Sequence, residues 1–157
     1  MRFVKISEQE FKDEGMNLYL SYDDIKLPKR ATKYSAGYDI YSTKSFKLCP
    51  GQTALIPTGI AVELDTDKFL AIVPRSGLGF KYRVQLDNTI GIIDADYIDS
   101  DNGGHIFVKI TNDSNLGKEL VVNVGDAICQ GIILPYFKVD DDNVTTERNG
   151  GFGSTSK

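Results

Sequence analysis

The fold is read first from Gly125-Asp126-Ala127-Ile128-Cys129-Gln130-Gly131-Ile132-Ile133-Leu134-Pro135. The apolar run Ala127 to Leu134 is rich in β-branched residues and is bounded by Gly-Asp on one side and Pro on the other, which reads as a strand between turns. The same texture recurs outward along the chain. The clearest further runs are Leu18 to Tyr22, Ala54 to Ile56, Ile60 to Leu64, Phe69 to Val73, Ile90 to Ile93, Ile106 to Ile110 and Leu120 to Val124. Strand-sized segments roughly ten residues apart, with no helix of crossover length between them, predict an antiparallel architecture rather than a βαβ sheet. The expected fold is all-β, a jelly-roll-like barrel or sandwich with one or two short helices.

Helix signals are few. Ser7 and Glu10 fit a capping box, Phe11 is apolar and Gly15 can stop the turn, so residues 8–14 are expected to form one short helix. A second turn of helix is expected after Ser76, with Ser76 at its N-cap. Asp99-Ser100-Asp101-Asn102-Gly103-Gly104 is polar and glycine-ended, and reads as an exposed loop.

A chain of 157 residues suits one domain of ordinary size. Hydrophobic residues make up 41% and charged residues 25%, as in globular chains and unlike disordered or collagenous ones. With 22 acidic against 18 basic residues the net charge is −4, which disfavours a general grip on nucleic acid but allows a small anionic ligand. No run approaches the roughly 20 apolar residues of a spanning helix, and Met1 to Phe11 lacks the basic-then-apolar order of a signal peptide. The expectation is a cytoplasmic protein with no membrane contact. Cys49 and Cys129 stand apart and His105 is the only histidine, so neither a disulfide framework nor a Cys/His zinc site is supported. The two cysteines read as small core residues and His105 as a strand-edge residue.

Several polar residues interrupt this apolar pattern. Asp94 follows the run Gly91-Ile92-Ile93, where it is either a proton acceptor in a cleft or a turn residue. Pro74-Arg75-Ser76-Gly77 ends a strand and opens a helical turn; amides, a hydroxyl and a guanidinium can converge there on an anion, or form a simple cap beside a surface arginine. Asp39 and Gln130 place polar groups within strand-like stretches, either satisfied by the scaffold or reserved for a ligand or its metal. The tail Gly150-Gly151-Phe152-Gly153-Ser154-Thr155-Ser156 has little to bury, so it is expected to be mobile when free. It is either a frayed terminus or a phosphate cradle with an aromatic ring for stacking on a base. Neither a Walker A pattern nor a G-x-G-x-x-G fingerprint occurs.

Ala36-Gly37-Tyr38-Asp39, Pro74-Arg75-Ser76-Gly77-Leu78-Gly79, Gly91-Ile92-Ile93-Asp94-Ala95-Asp96-Tyr97, Gly125-Asp126-Ala127-Ile128-Cys129-Gln130 and Arg148-Asn149-Gly150-Gly151-Phe152-Gly153-Ser154-Thr155 follow one another in order. Taken together they resemble the five motifs of the trimeric dUTP pyrophosphatase (dUTPase) family, over about residues 16–156. The resemblance divides the chain into an N-terminal extension (1–15), a dUTPase-like β domain (16–140) and a flexible C-terminal arm (141–157).

This resemblance implies a homotrimer with shared active sites: one chain supplies the first, second and fourth motifs, the next the third, and the last its arm. It implies Mg²⁺-dependent hydrolysis of dUTP to dUMP and pyrophosphate. Asp94 is implied as the base that activates the attacking water. Arg75, Ser76, Gly77 and Gln130 are implied as phosphate ligands, with Arg148, Gly153, Ser154 and Thr155 as the closing arm. Asn88 and the backbone of Gly91, Ile92 and Ile93, completed near Phe107, are implied as the uracil pocket, with Tyr97 against the deoxyribose and Phe152 stacking on the base. The magnesium ion is implied to be held by the phosphates and water, with Asp39 as an outer-sphere partner. The chain departs from the pattern after Tyr97, where Ile98 to Gly103 are added, at Ala127, where a basic residue is common, and in the spacing after Arg148. Two other readings remain: a dCTP deaminase or bifunctional deaminase and pyrophosphatase, and a nucleotide-gated regulator that binds a protein partner through the insert or the N-terminal extension.

Overall fold

A computed structural model describes residues 1–148 and 150. The elements in chain order are β1 (Arg2–Lys5), α1 (Glu8–Asp13), β2 (Lys29–Arg30), β3 (Tyr38–Tyr41), β4 (Phe46–Leu48), β5 (Thr53–Pro57), β6 (Ile60–Glu63), β7 (Lys68–Pro74), α2 (Ser76–Tyr82), β8 (Val84–Leu86), β9 (Gly91–Asp94), β10 (Phe107–Asn112), β11 (Leu120–Val122) and β12 (Ala127–Pro135). Short 3-10 turns cover Met16–Leu18, Tyr22–Asp24 and Ala95–Asp99.

Every strand pairing among the described residues is antiparallel. The largest sheet has the order β2-β3-β12-β7-β9; the others are β5-β10-β8, β1-β6 and β11-β4. Side chains from all four sheets, among them Ile40, Leu48, Ile56, Val62, Leu70, Ile110, Leu120 and Ile128, share one buried core. That makes the fold all-β and jelly-roll-like, as expected. β12 pairs along both edges, with β3 and with β7. Gly131 makes this packing possible, because a Cβ there would stand 2.8 Å from Leu70 Cδ1.

The N-terminal residues are packed into this domain rather than beside it. β1 pairs with β6, and Ile6 and Phe11 are buried in the common core. α1 is capped as expected, with Ser7 Oγ accepting from Glu10 N at 3.0 Å.

Four local expectations are corrected. Leu18 to Tyr22 is not a strand. Met16 is buried and Leu20, four residues on, packs half-buried against the core, while Leu18 and Tyr19 point outward, and that is helical spacing rather than alternation. Arg75, not Ser76, is the N-cap of α2: it is still extended (φ −71°, ψ 138°), and its carbonyl accepts from Leu78 and Gly79. Cys49 is exposed because it opens the tight turn Cys49-Pro50-Gly51-Gln52, whose glycine has φ +83° and whose Gln52 N–H returns to the Cys49 carbonyl. His105 is fully buried just ahead of β10, not at a strand edge.

The insert is only partly exposed. Asp99, Asp101 and Gly103 face outward, whereas Ser100 and Gly104 are buried. Ser100 Oγ donates to the Tyr97 carbonyl at 2.6 Å, and Asn102 Nδ2 donates to Tyr97 Oη and the His105 carbonyl at 3.2 Å each. These bonds fold the loop back onto the core, where alternating polar residues had suggested only solvent.

Candidate active site

β8 leaves the core at Leu86, and the chain turns through Asp87-Asn88-Thr89-Ile90 into β9. β9 lies close on β7 because Gly91 stands opposite Ile72; a Cβ there would meet Ile72 Cβ at 3.1 Å. With the outer faces of β5 and β10, this hairpin walls a cleft of about 680 Å³. Asn88, Gly91, Ile92, Ile93, Asp94, Tyr97, Phe107 and Arg148, all expected at the site, line it together. Asp87, Lys109, Leu55 and Leu86 line it too and were not anticipated.

Asp94 ends β9 with its side chain half exposed to the cleft. Tyr97 follows in the 3-10 turn; it is largely buried, its hydroxyl donates to the His105 carbonyl at 3.1 Å, and its ring face is turned to Arg148, whose guanidinium carbon is 5.8 Å from the centroid. Arg148 Nε donates to Asp96 Oδ1 at 2.8 Å and Nη2 to Asp94 Oδ2 at 2.5 Å. Burial works against the Arg148 charge, but the bond and charge of Asp96, then those of Asp94, more than restore it and hold the guanidinium above its ordinary range. Asp96 as a partner was legible only as the second acid of Asp94-Ala95-Asp96, on the same side of the turn as Asp94.

The family resemblance draws the arm and the Asp94 hairpin from different copies, whereas here Arg148 meets its own chain's Asp94. The topology makes that reach short. Leu134 near the end of β12 pairs with Phe69, and Phe69 pairs with Asp94, so two strand spacings, about 10 Å, separate β12 from Asp94.

Asp39, Arg75 and Gln130 gather elsewhere, at the other end of β7. Asp39 pairs with Gln130 across β3 and β12, and Arg75 Nε lies 3.0 Å from Asp39 Oδ1. Gln130 Nε2 donates to the Pro74 carbonyl at 3.4 Å, and its Oε1 occupies the space a Cβ on Gly37 would need, 2.2 Å away. Ser76 and Gly77 are exposed in the first turn of α2, where amides lack partners within the helix. Asp94 aligns with Phe69, and Arg75 follows the end of the same strand six residues on, which at about 3.3 Å per residue places their backbone positions about 20 Å apart. Phe152, Gly153, Ser154 and Thr155 lie outside the described residues.

Asp39 is the one carboxylate in the Arg75 cluster. It turns one oxygen to Arg75, and a lone carboxylate with a second oxygen suits a water-mediated contact to an ion held by phosphates rather than an all-protein cage. Among the described residues, the only trio of potential metal ligands is Glu10, Glu14 and His105, outside both clusters. His105 Nε2 accepts the Gly59 N–H at 3.0 Å, so the neutral ring carries its proton on Nδ1, 3.6 Å from Glu10 Oε1. A metal at Nδ1 would need that proton removed, so this trio reads as a structural contact between α1 and the approach to β10.

A family model described as dUTPase matches residues 23–156. The deoxyuridine 5'-triphosphate nucleotidohydrolase of Lactococcus lactis subsp. lactis is 36% identical over 149 residues, covering 92% of this chain and 98% of that protein. Among solved structures, the dUTPase from Streptococcus mutans superposes with a TM-score of 0.71 at 28% identity, covering 89% of this chain and 99% of that one. The dUTPase from phage phi11 of S. aureus, whose structure describes coordination of a structural Mg(II) ion, superposes with a TM-score of 0.66 at 22% identity over 92% of this chain and 96% of that one, a likeness of fold alone. No helix of the described residues is long and apolar enough to cross a membrane.

Proposed function

This chain belongs to the dUTPase family and is a dUTP diphosphatase, and from that premise we propose how its own residues convert dUTP and water to dUMP and pyrophosphate. The observation that carries the reading is the half-exposed Asp94 carboxylate in a cleft walled by the Asn88 hairpin and capped by Arg148. Water is a weak nucleophile at neutral pH. Asp94 takes its proton while the water oxygen bonds to the α-phosphorus; the bond from that phosphorus to the bridging oxygen breaks, and pyrophosphate leaves with the electron pair.

Asn88 and the main chain of Gly91, Ile92 and Ile93, completed near Phe107, pair with the uracil edge. A base presenting a donor where an acceptor is wanted leaves buried groups unpaired and is rejected. Tyr97 packs on the deoxyribose. Arg75, Ser76, Gly77 and Gln130 hold the phosphate chain, where aimed donors count most as charge builds on the leaving group. A polyphosphate competes with Asp94 and Asp96 for Arg148, which then closes the site with Phe152, Gly153, Ser154 and Thr155 and sheds water from it. Mg²⁺, when bound by the phosphates and water with Asp39 in its outer sphere, would neutralise phosphate charge.

The separation of about 20 Å between Asp94 and Arg75 within one chain supports a site assembled from neighbouring copies in a homotrimer. That span is long for one triphosphate to have its α-phosphorus at Asp94 and its phosphate chain at Arg75 of the same chain.

The test is pyrophosphate release from dUTP, dCTP, dTTP and UTP with Mg²⁺, for the wild type and Asp94→Asn. Expected is turnover of dUTP alone, lowered about 10²- to 10⁴-fold in the variant with melting unchanged. Equal hydrolysis of all four would contradict the base slot, and ammonia released from dCTP would assign a deaminase instead.

A further inference from the structure

The turn that carries Asn88 is strained, and it is held by residues to which the reaction above gives no role. Ile90 N–H donates to the Asn88 carbonyl at 2.7 Å across Thr89, whose φ is +68°. A bond from i to i+2 around a residue at positive φ marks the rarer, strained kind of γ-turn, and a β-branched residue seldom tolerates it. Such a conformation persists only where neighbouring contacts over-determine it.

Those contacts converge on Asp87, the residue before Asn88. Phe107, Lys109 and Thr111 alternate along the outer face of β10, away from the buried Val108 and Ile110. Lys109 Nζ lies 2.9 Å from Asp87 Oδ2, and Thr111 Oγ1 donates to Asp87 Oδ1 at 2.5 Å. With its proton thus directed, Thr111 Oγ1 accepts from Thr53 Oγ1 on β5, 2.7 Å away. The main chain adds a third tie, Asp87 N–H donating to the Lys109 carbonyl at 3.1 Å. Thr111 and then Lys109 hold the Asp87 carboxyl below the usual carboxylate range, as expected for an acid fixed in its charged form. Both Asp87 and Lys109 line the cleft.

We propose that Lys109 is a positioning residue for base recognition: with Thr111 it clamps Asp87, fixes the strained turn and so sets the direction in which Asn88 faces the cleft. The inference rests on the reading of that cleft as the uracil slot. Lys109 need not touch substrate to act, because its pairing with Asp87 is what holds the turn.

The test compares kcat and KM for dUTP in the wild type, Lys109→Met, Lys109→Arg, Thr111→Val and the double variant Asp87→Asn/Lys109→Met, alongside amide hydrogen exchange at Thr89 and Ile90. Lys109→Met is expected to raise KM about fivefold with kcat nearly kept, to reduce the preference for dUTP over dCTP, and to speed exchange at both amides about tenfold. Thr111→Val is expected to act in the same direction. Lys109→Arg should recover most of the KM, and the double variant should be no worse than Lys109→Met, since both remove one interaction. An unchanged KM, or a fall in kcat that merely follows a lowered melting temperature, overturns the proposal. Should the wild type hydrolyse no dUTP, the reading of the cleft fails by itself. The exchange rates then decide the clamp, and equal rates in wild type and Lys109→Met refute it.

Discussion

His105 shows how far burial reassigns a single side chain. Its ring is inaccessible, tilted against Phe107 with centroids 4.2 Å apart, with Nε2 accepting from Gly59 and no hydrogen-bond partner at Nδ1. Burial lowers its pKa from 6.5 to about 4, so between those values the unfolded chain binds a proton that the folded one does not. Stability from this group is therefore complete above about pH 6.5 and lost as the pH falls toward 4, by about 3 kcal/mol. Glu10 opposes it. Burial, then Glu14 and Asp13, raise its pKa, so its cost to the fold is relieved on acidification. Because the histidine shift is the larger, melting temperatures should fall from pH 7 to pH 4.5, and His105→Gln should flatten that slope while starting lower. An equal slope in both proteins would show that the acid sensitivity lies elsewhere. Nothing in Gly103-Gly104-His105-Ile106 announces the burial, which is created by α1 and the Gly59 turn, both distant in sequence.

At the scale of elements, the long β-branched runs were legible because strand periodicity survives in them: β5, β6, β7, β9, β10, β11 and β12 lie within two residues of their expected places. β1, β4 and β8 are three or four residues long and mix charged or polar with apolar side chains, too short a span for alternation to mark them. The insert is likewise a matter of contacts. Gly104 has φ +72°, and a Cβ there would stand 2.7 Å from Ile98 Cα, a backbone atom that cannot step aside. Gly103 has φ +60° but open space around it. Gly104→Ala should therefore cost about 3 kcal/mol in chemical denaturation, against about 1 kcal/mol for Gly103→Ala, which meets only backbone strain. Similar losses in the two variants would mean that the Ile98 contact is relieved at no cost. The larger loss should also loosen Tyr97, whose carbonyl lies 3.2 Å from that same Cβ position.

For the whole molecule, β7 acts as a ruler. It carries the Asp94 partner Phe69 near one end and leads into Arg75 at the other, so the backbone positions of the two residues lie about 20 Å apart in one chain. The shared-site homotrimer proposed above makes a sharp prediction. Asp94→Asn and Arg75→Ala, each inactive alone, should regain activity when refolded together, with about a quarter of the sites carrying both intact groups if copies mix at random in a trimer. Pyrophosphate release from the mixture measures it. No recovery, in a mixture shown by mass to contain mixed oligomers, would place Asp94 and Arg75 in one chain's site.

The order and spacing of five short motifs, the β-branched runs and the scarcity of helix signals determined the fold class and the family, because those properties are local and survive in one dimension. The residues of the third motif were legible as a set for the same reason: they are nearly contiguous. Which side chains face them was decided by the tertiary structure alone. Lys109 and Thr111 meet Asp87 across more than twenty residues, Arg148 returns to Asp94 across fifty-four, and His105 is sealed by α1. Register, strand order and the burial they produce are cooperative results of the whole chain packing on one core, and no window of sequence contains them.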